Sequence, residues 1–185
     1  FCGIGGLTHC FVRSGFDVVA GIDNDSLCKY GYEANNNAQF IDKDISSVTA
    51  DELRKLYGSS KGPKILVGCA PCQPFSKLNL KRVSSKQLQP LEKFAQLITE
   101  VQPDIVSMEN VKGLLKNPIF EKFLDNLKVN GYHYSYDVVN FSDYGVPQNR
   151  HRLVLLASKH GLISLIPPTH KKKKRTVRDV LSQLE

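Results

Sequence analysis

Short β-branched runs take turns with stretches of helical periodicity along almost the whole of this chain. Strands are expected at residues 16–22, 39–41, 65–68, 104–108, 134–140 and 153–157. Helical patterns fill the intervals at 8–14, 26–35, 50–57, 88–101 and 119–130. In the stretch 88–101, Leu91, Phe94, Ala95, Leu97, Ile98 and Val101 recur at helical spacing. Such alternation predicts an α/β domain with one mostly parallel sheet and helices on both faces. The strands read as short apolar runs, as expected if both faces are covered. Ligands of such sheets sit where strands end at their carboxyl edge. Residues just after each strand are therefore the first candidates for chemistry.

The 185 residues fit one domain, and 41% apolar content is enough for a sizeable core. No apolar run reaches membrane-spanning length. Phe1 opens directly on a glycine-rich turn, so the chain is expected to start mid-strand. Lys plus Arg is 25 and Asp plus Glu is 18, a net charge of +7. That balance suits a polyanionic partner. Cys2, Cys10, Cys28, Cys69 and Cys72 are odd in number and irregular in spacing. They do not form a disulfide framework, which points to a reducing cytoplasm. The run His170-Lys171-Lys172-Lys173-Lys174-Arg175 reads either as a solvated loop or as a segment that touches nucleic-acid phosphates.

Phe1-Cys2-Gly3-Ile4-Gly5-Gly6 stands where a first strand would end. Glycines there let a backbone approach a ligand and open a helix. Asp23 follows 17 residues after Gly6, at the end of the next expected strand. A carboxylate at that place suits a pair of ribose hydroxyls. Thr8 replaces the last glycine of the dinucleotide fingerprint, so the reading is a nucleoside-type cofactor without that fingerprint. Asp44, after the third segment, reads either as a helix cap or as a carboxylate for an adenine amino group.

Gly68-Cys69-Ala70-Pro71-Cys72-Gln73-Pro74-Phe75-Ser76 follows a buried strand. One Cys-x-x-Cys supplies two ligands, and a structural zinc site needs four. A redox pair wants a helix N-terminus just behind it, and Pro74 removes an amide there. What remains is a nucleophilic thiol at Cys72, on a loop stiffened by Pro71 and Pro74. Cys69, closing the strand, reads as inert. Glu109 follows the next strand and should lie at the same sheet edge as Cys72. Arg150 and Arg152 precede the last strand. They are expected on opposite faces, one reaching a substrate carbonyl or phosphate and the other anchored. Read singly, these three charges could be plain strand-end ion pairs. Together they place a cofactor turn, a thiol, an acid and a guanidinium at one sheet edge.

In that order the motifs resemble those of the DNA cytosine-5 methyltransferases. FCGIGG resembles the family's first motif, "IDND" at 22–25 the second and "KDI" at 43–45 the third. "PCQPFS" at 71–76 resembles the nucleophile loop, "ENV" at 109–111 the acid motif and "GVPQNRHR" at 145–152 the arginine motif. The resemblance covers essentially the whole chain. It implies a Rossmann-like methyltransferase fold with S-adenosylmethionine as cofactor. Phe1, Gly3, Gly5, Gly6, Asp23, Asn24, Asp44, Ile45 and Pro71 would line the cofactor site. Phe1 would stack on the adenine and Asp23 would hold the ribose. Cys72, Glu109, Arg150 and Arg152 would be catalytic, acting on a cytosine turned out of double-stranded DNA. A bacterial restriction–modification setting, in the cytoplasm at the nucleoid, is the implied context.

The family carries a target-recognition domain after the arginine motif. The reading divides the chain into a catalytic domain at 1–166 and a basic linker at 167–185 that leads toward such a domain. The segment 77–87 is lysine-rich and has serines where the family has glycine. The chain alone is expected to bind DNA weakly and to methylate poorly. No metal or membrane partner is expected, and the sequence assigns no oligomeric state. Two alternatives stand beside this reading: a tRNA cytosine-5 methyltransferase, and a non-catalytic fragment that binds cofactor or nucleic acid. The tRNA relative's Cys-Phe-Thr signature is absent, since no cysteine follows Cys72.

Overall fold

The structure is a computed structural model, and it describes residues 1–71 and 88–182. Helix α1 (Gly6–Arg13) leads to strand β1 (Ala20–Asp23), α2 (Cys28–Asn35) and β2 (Gln39–Asp42). Next come α3 (Ala50–Tyr57), β3 (Ile65–Gly68), α4 (Gln89–Val101) and β4 (Ile105–Asn110). The chain closes with α5 (Pro118–Val129), β5 (His133–Asn140), β6 (His151–Ser158) and a short α6 (Val177–Leu181). The strands and helices expected from residue 8 onward are present, with ends shifted by up to about four residues, whereas Phe1 and Cys2, expected to close a first strand, belong to none.

The expected single sheet lies in two pieces. β1 and β2 pair in parallel, and a second sheet has the order β3-β4-β6-β5. β3 and β4 are parallel, whereas β6 runs antiparallel to both β4 and β5. An apolar cavity of about 380 Å³ separates the facing edges of β1 and β3. Gly21, Ile22, Leu66 and Val67 line it together with helix residues that include Phe11 and Leu53. At its carboxyl end the amide of Cys2 donates to Ile22 O at 3.1 Å.

Helices cover both faces of β1. Adjacent residues of a strand point to opposite faces. Gly21 faces α2: a Cβ there would stand 2.5 Å from the Tyr32 ring, so only glycine lets that ring pack on the strand. Ile22 faces the other way, onto a cluster built on Val48, Leu53 and Leu97. α3 begins at a capping box. Thr49 accepts from the Glu52 amide, and the Glu52 carboxylate accepts from the Thr49 amide. This local signal fixes the helix start.

The main core lies on one face of the four-stranded sheet. Val106 and Met108 of β4 and Leu153, Leu155 and Ala157 of β6 are fully buried under Leu91, Phe94 and Ile98 of α4 and Phe120, Phe123 and Leu127 of α5. Burying each large aliphatic side chain contributes roughly 1.5–3 kcal/mol. β4 alternates half-buried and buried residues, so the expected two-sided burial does not hold there. The alternation follows from antiparallel pairing with β6, which commonly leaves one face less covered.

Pairing also lengthens β4 and β6. Glu109 pairs opposite Val154 and Asn110 opposite Leu153, so the acid motif is inside β4 and not after it. His151 and Arg152 are likewise the first residues of β6. Cross-strand hydrogen bonds decide where these strands end, which local composition does not show.

Candidate active site

Three strand ends meet at the carboxyl edge of the sheets. The first holds the glycine turn. Gly3 and Gly5 have φ of 51° and 86°, in the left-handed region that glycine enters at low cost. A Cβ on Gly5 would stand 2.4 Å from Asn36 Nδ2 and 2.8 Å from Tyr32. At Gly3 and Gly6 it would meet nothing within 4 Å, so these two glycines border open space. The Gly3 amide donates to Asp23 Oδ2 at 2.8 Å, and the Asp25 amide donates to Asp23 Oδ1 at 3.1 Å. Burial pushes the Asp23 carboxyl up, but several lowering contributions, led by the Gly3 and Asp25 amides, together hold the pKa below the ordinary aspartate value. Each oxygen keeps acceptor capacity for a further donor.

Asp44 stands beside this turn. Its Oδ1 accepts from the Ser46 amide at 2.8 Å and caps the short turn Ile45–Ser47. Its Oδ2 accepts from Asn24 Nδ2 at 3.1 Å. The cap reading of Asp44 is thus correct, and a link to Asn24 at the end of β1 comes with it. Hydrogen bonds from Ser46 lower its pKa. Phe1 packs against the core cluster that contains Ala70 and Met108, which brings the glycine turn beside the ends of β3 and β4.

The second strand end is that of β3. Gly68 pairs with Met108, so the residues that follow run alongside Glu109 and Asn110. Cys69 is half-buried. Burial raises its thiol pKa and the nearby Glu109 charge adds to the rise, in keeping with an inert thiol. Pro71 is exposed at the edge. Cys72 lies outside the described residues.

The third end joins β4 and β6. Arg152 Nε lies 3.1 Å from Glu109 Oε1, and an Arg150 terminal nitrogen is 4.0 Å from the same oxygen. Both arginines therefore converge on one carboxylate, and the expectation of opposite faces fails. Side chains two residues apart on an extended segment project the same way. The loop before them is pinned, since the Phe141 amide donates to Arg150 O at 2.9 Å and Asn140 Nδ2 donates to Asn149 Oδ1 at 2.8 Å.

Sequence reading assigned no role to Asn110. Its side chain is buried, and Nδ2 donates to Ala70 O at 3.1 Å. Its Oδ1 accepts from the Val111 amide at 2.8 Å. This one amide ties the stem of the cysteine loop to the strand that carries Glu109. An asparagine inside an apolar strand, where that residue type is depleted, was the available signal.

Among the described residues no group of three or more His, Cys, Asp or Glu is placed to hold a metal ion. No helix among them is long and apolar enough to cross a membrane.

The family model for C-5 cytosine-specific DNA methylase matches residues 1–185. The type II methylase M.HgiDII of Herpetosiphon aurantiacus is 51% identical, over 100% of this chain and 53% of its own length. The type II methyltransferase M.XorII of Xanthomonas oryzae pv. oryzae is 34% identical, over 88% of this chain and 40% of its own. Among solved structures, a prophage-encoded E. coli protein described provisionally as a DNA modification methyltransferase superposes with a TM-score of 0.80 at 25% identity. That match covers 98% of this chain and 52% of the other. The chain thus spans about half the length of the curated relatives it matches.

Proposed function

Because this chain belongs to the C-5 cytosine-specific DNA methylase family, we propose that it carries the chemical half of an enzyme that methylates carbon 5 of cytosine in duplex DNA. The observation that carries this reading is the pair of Glu109 and Arg152 beside the stem 69–71 of the cysteine loop. An acid, a guanidinium and a thiol loop at one sheet edge suit addition to a pyrimidine ring. The names of the relatives support a restriction–modification setting in a bacterium.

The glycine turn fits S-adenosylmethionine. Gly3 and Gly6 border open space, and Asp23 offers an ionised carboxylate at the strand end. Asp23 would take the ribose hydroxyls, and Phe1, Asn24, Asp44, Ile45 and Pro71 would flank the rest of the nucleoside. When bound there, that cofactor supplies an electrophilic methyl group to carbon 5.

The residues of the chain do the remaining work. The Cys72 thiolate adds to carbon 6 of a cytosine turned out of the helix, forming a carbon–sulfur bond. Glu109 gives a proton to ring nitrogen 3, so the electron pair pushed into the ring meets a proton instead of building a charge. Acid assistance of this kind is worth roughly 10²–10⁴ in rate. Arg152 holds the Glu109 carboxyl and reaches the exocyclic oxygen, with Arg150 supporting the site or a phosphate. After methylation a base removes the proton from carbon 5. The carbon–sulfur bond then breaks, ring nitrogen 3 returns its proton to Glu109, and the thiolate is restored.

The test uses the protein expressed from its full reading frame, methyl-labelled cofactor and duplex DNA, with tRNA as the comparison substrate. Label on carbon 5 of DNA cytosine is expected. A duplex containing 5-fluorocytosine should form a covalent complex that Cys72→Ser abolishes. Label on an exocyclic nitrogen, or a complex that survives Cys72→Ser, would overturn the proposal.

A further inference from the structure

The basic run after β6 is not free chain. It is pinned to the turn that leads into the two arginines. The His170 amide donates to Asp143 O at 2.7 Å, and Thr169 Oγ1 lies 2.8 Å from His170 Nδ1. The His170 ring lies against Gly145, where a Cβ would stand 2.9 Å from Cε1. Gly145 also has φ of 89°, so both space and backbone demand glycine there. Upstream, the Tyr144 hydroxyl donates to Ile166 O at 3.1 Å. Downstream, Lys174 Nζ pairs with Asp143 Oδ1 at 3.0 Å. The segment is therefore fastened on both sides of Lys171, Lys172 and Lys173. A capping box at Thr176 and Asp179 then starts α6.

The fastening places the run at the edge that carries the site. β5 ends at Asn140, which pairs with His151, one residue before Arg152. The Phe141–Tyr144 turn and Gly145 continue from that end. Asp143 takes up only Lys174. Lys171, Lys172, Lys173 and Arg175 are exposed, and among the described residues none of the four makes an ion pair within 4 Å. The charges of Lys173 and Arg175 reach Asp179, whose carboxylate is already engaged by the Thr176 amide and hydroxyl. A row of solvated lysines needs no anchor. An anchored row of unneutralised cations beside a base-binding edge has the form of a phosphate contact.

We propose that Lys171, Lys172, Lys173 and Arg175 form a strap on the DNA sugar–phosphate backbone that flanks the target cytosine, with His170 and Lys174 as its two fasteners. The strap supplies affinity and register and no base reading. The proposal rests on the reading of the site as a DNA cytosine methyltransferase.

Each phosphate neutralised steepens the fall of log affinity with log salt by about 0.9. The test measures binding of a duplex by fluorescence anisotropy across a salt series, for the protein expressed from its full reading frame. The variant K171Q/K172Q/K173Q should lower the slope by about 2–3 and raise the KM for DNA, with kcat at saturating DNA unchanged. The variant K171R/K172R/K173R should restore the wild-type slope. If the glutamine variant loses its thermal transition, K172Q alone decides the matter, with an expected slope change of about 1. An unchanged slope in a folded glutamine variant, while wild-type protein binds and methylates DNA, overturns the strap and leaves the site reading intact. Wild-type protein that binds no duplex overturns both.

Discussion

Arg152 Nε reaches Glu109 Oε1 at 3.1 Å across the antiparallel pair β4–β6. Glu109 pairs opposite Val154, so the contact is a diagonal one between a residue and the neighbour two places before its partner. The geometry exists only because β6 runs antiparallel to β4 and so brings its first residues to the edge where β4 ends.

Removing that partner should damage chemistry more than folding. Arg152→Ala is expected to lower kcat for DNA methylation by roughly 10²–10⁴, the range of one acid-assistance contribution. Cofactor affinity should hold within a few-fold. Arg152→Lys should recover little, because an ammonium cannot reproduce the guanidinium fork. A methyl-transfer assay with saturating DNA reads both. An Arg152→Ala enzyme with near-normal kcat would remove Arg152 from the mechanism.

Asn110 should matter to fold and loop alike. Asn110→Ala leaves Ala70 O and the Val111 amide without their partner inside the protein. Unsatisfied buried groups cost about 1–3 kcal/mol. Urea denaturation should show a loss of that order. Methylation should fall as well, even at temperatures where the variant is fully folded. Stability unchanged within error would mean that the amide does not hold the loop stem.

Gly5→Ala combines a positive φ with a clash, since the new Cβ would stand 2.4 Å from Asn36 Nδ2. A left-handed non-glycine residue costs on the order of 1–3 kcal/mol, and overpacking adds to it. The variant should melt several degrees lower and bind S-adenosylmethionine more weakly in calorimetry. Gly6→Ala, with open space at its Cβ and an ordinary φ, should keep its stability. Equal melting of the two variants would contradict this account.

The pH dependence follows from Asp23. Burial raises its folded pKa, and the lowering contributions, led by the Gly3 and Asp25 amides, together bring it below the ordinary value. Its contribution to stability is therefore fully present above the unfolded value of about 3.9. It is lost as pH falls through the lower folded value. Cofactor binding should accordingly stay level from pH 8 to pH 5, and Asp23→Asn should weaken it throughout that span. A midpoint for wild-type binding between pH 5 and pH 7 would exclude Asp23 as the titrating group.

Much of this molecule was legible as a string of residues. The alternation of strand and helix patterns named the fold class. The helical pattern at 50–57 located a helix, and the glycine turn, the acid motif and the arginine motif could be located by residue type and spacing. Those properties depend on neighbours close in the chain, where propensity and periodicity act. Three things depended on distant partners. Pairing with β6 drew Glu109 into β4. The antiparallel direction of β6 put Arg150 and Arg152 on one carboxylate. The anchoring of His170 and Lys174 on the turn at Asp143 and Gly145 turned a charge run into a fixed segment. Sequence determines which groups are available and where the chain turns. Only the packed sheet decides which of them meet, because a side chain's partner across a strand pair is set by register and direction, and neither is written in local composition.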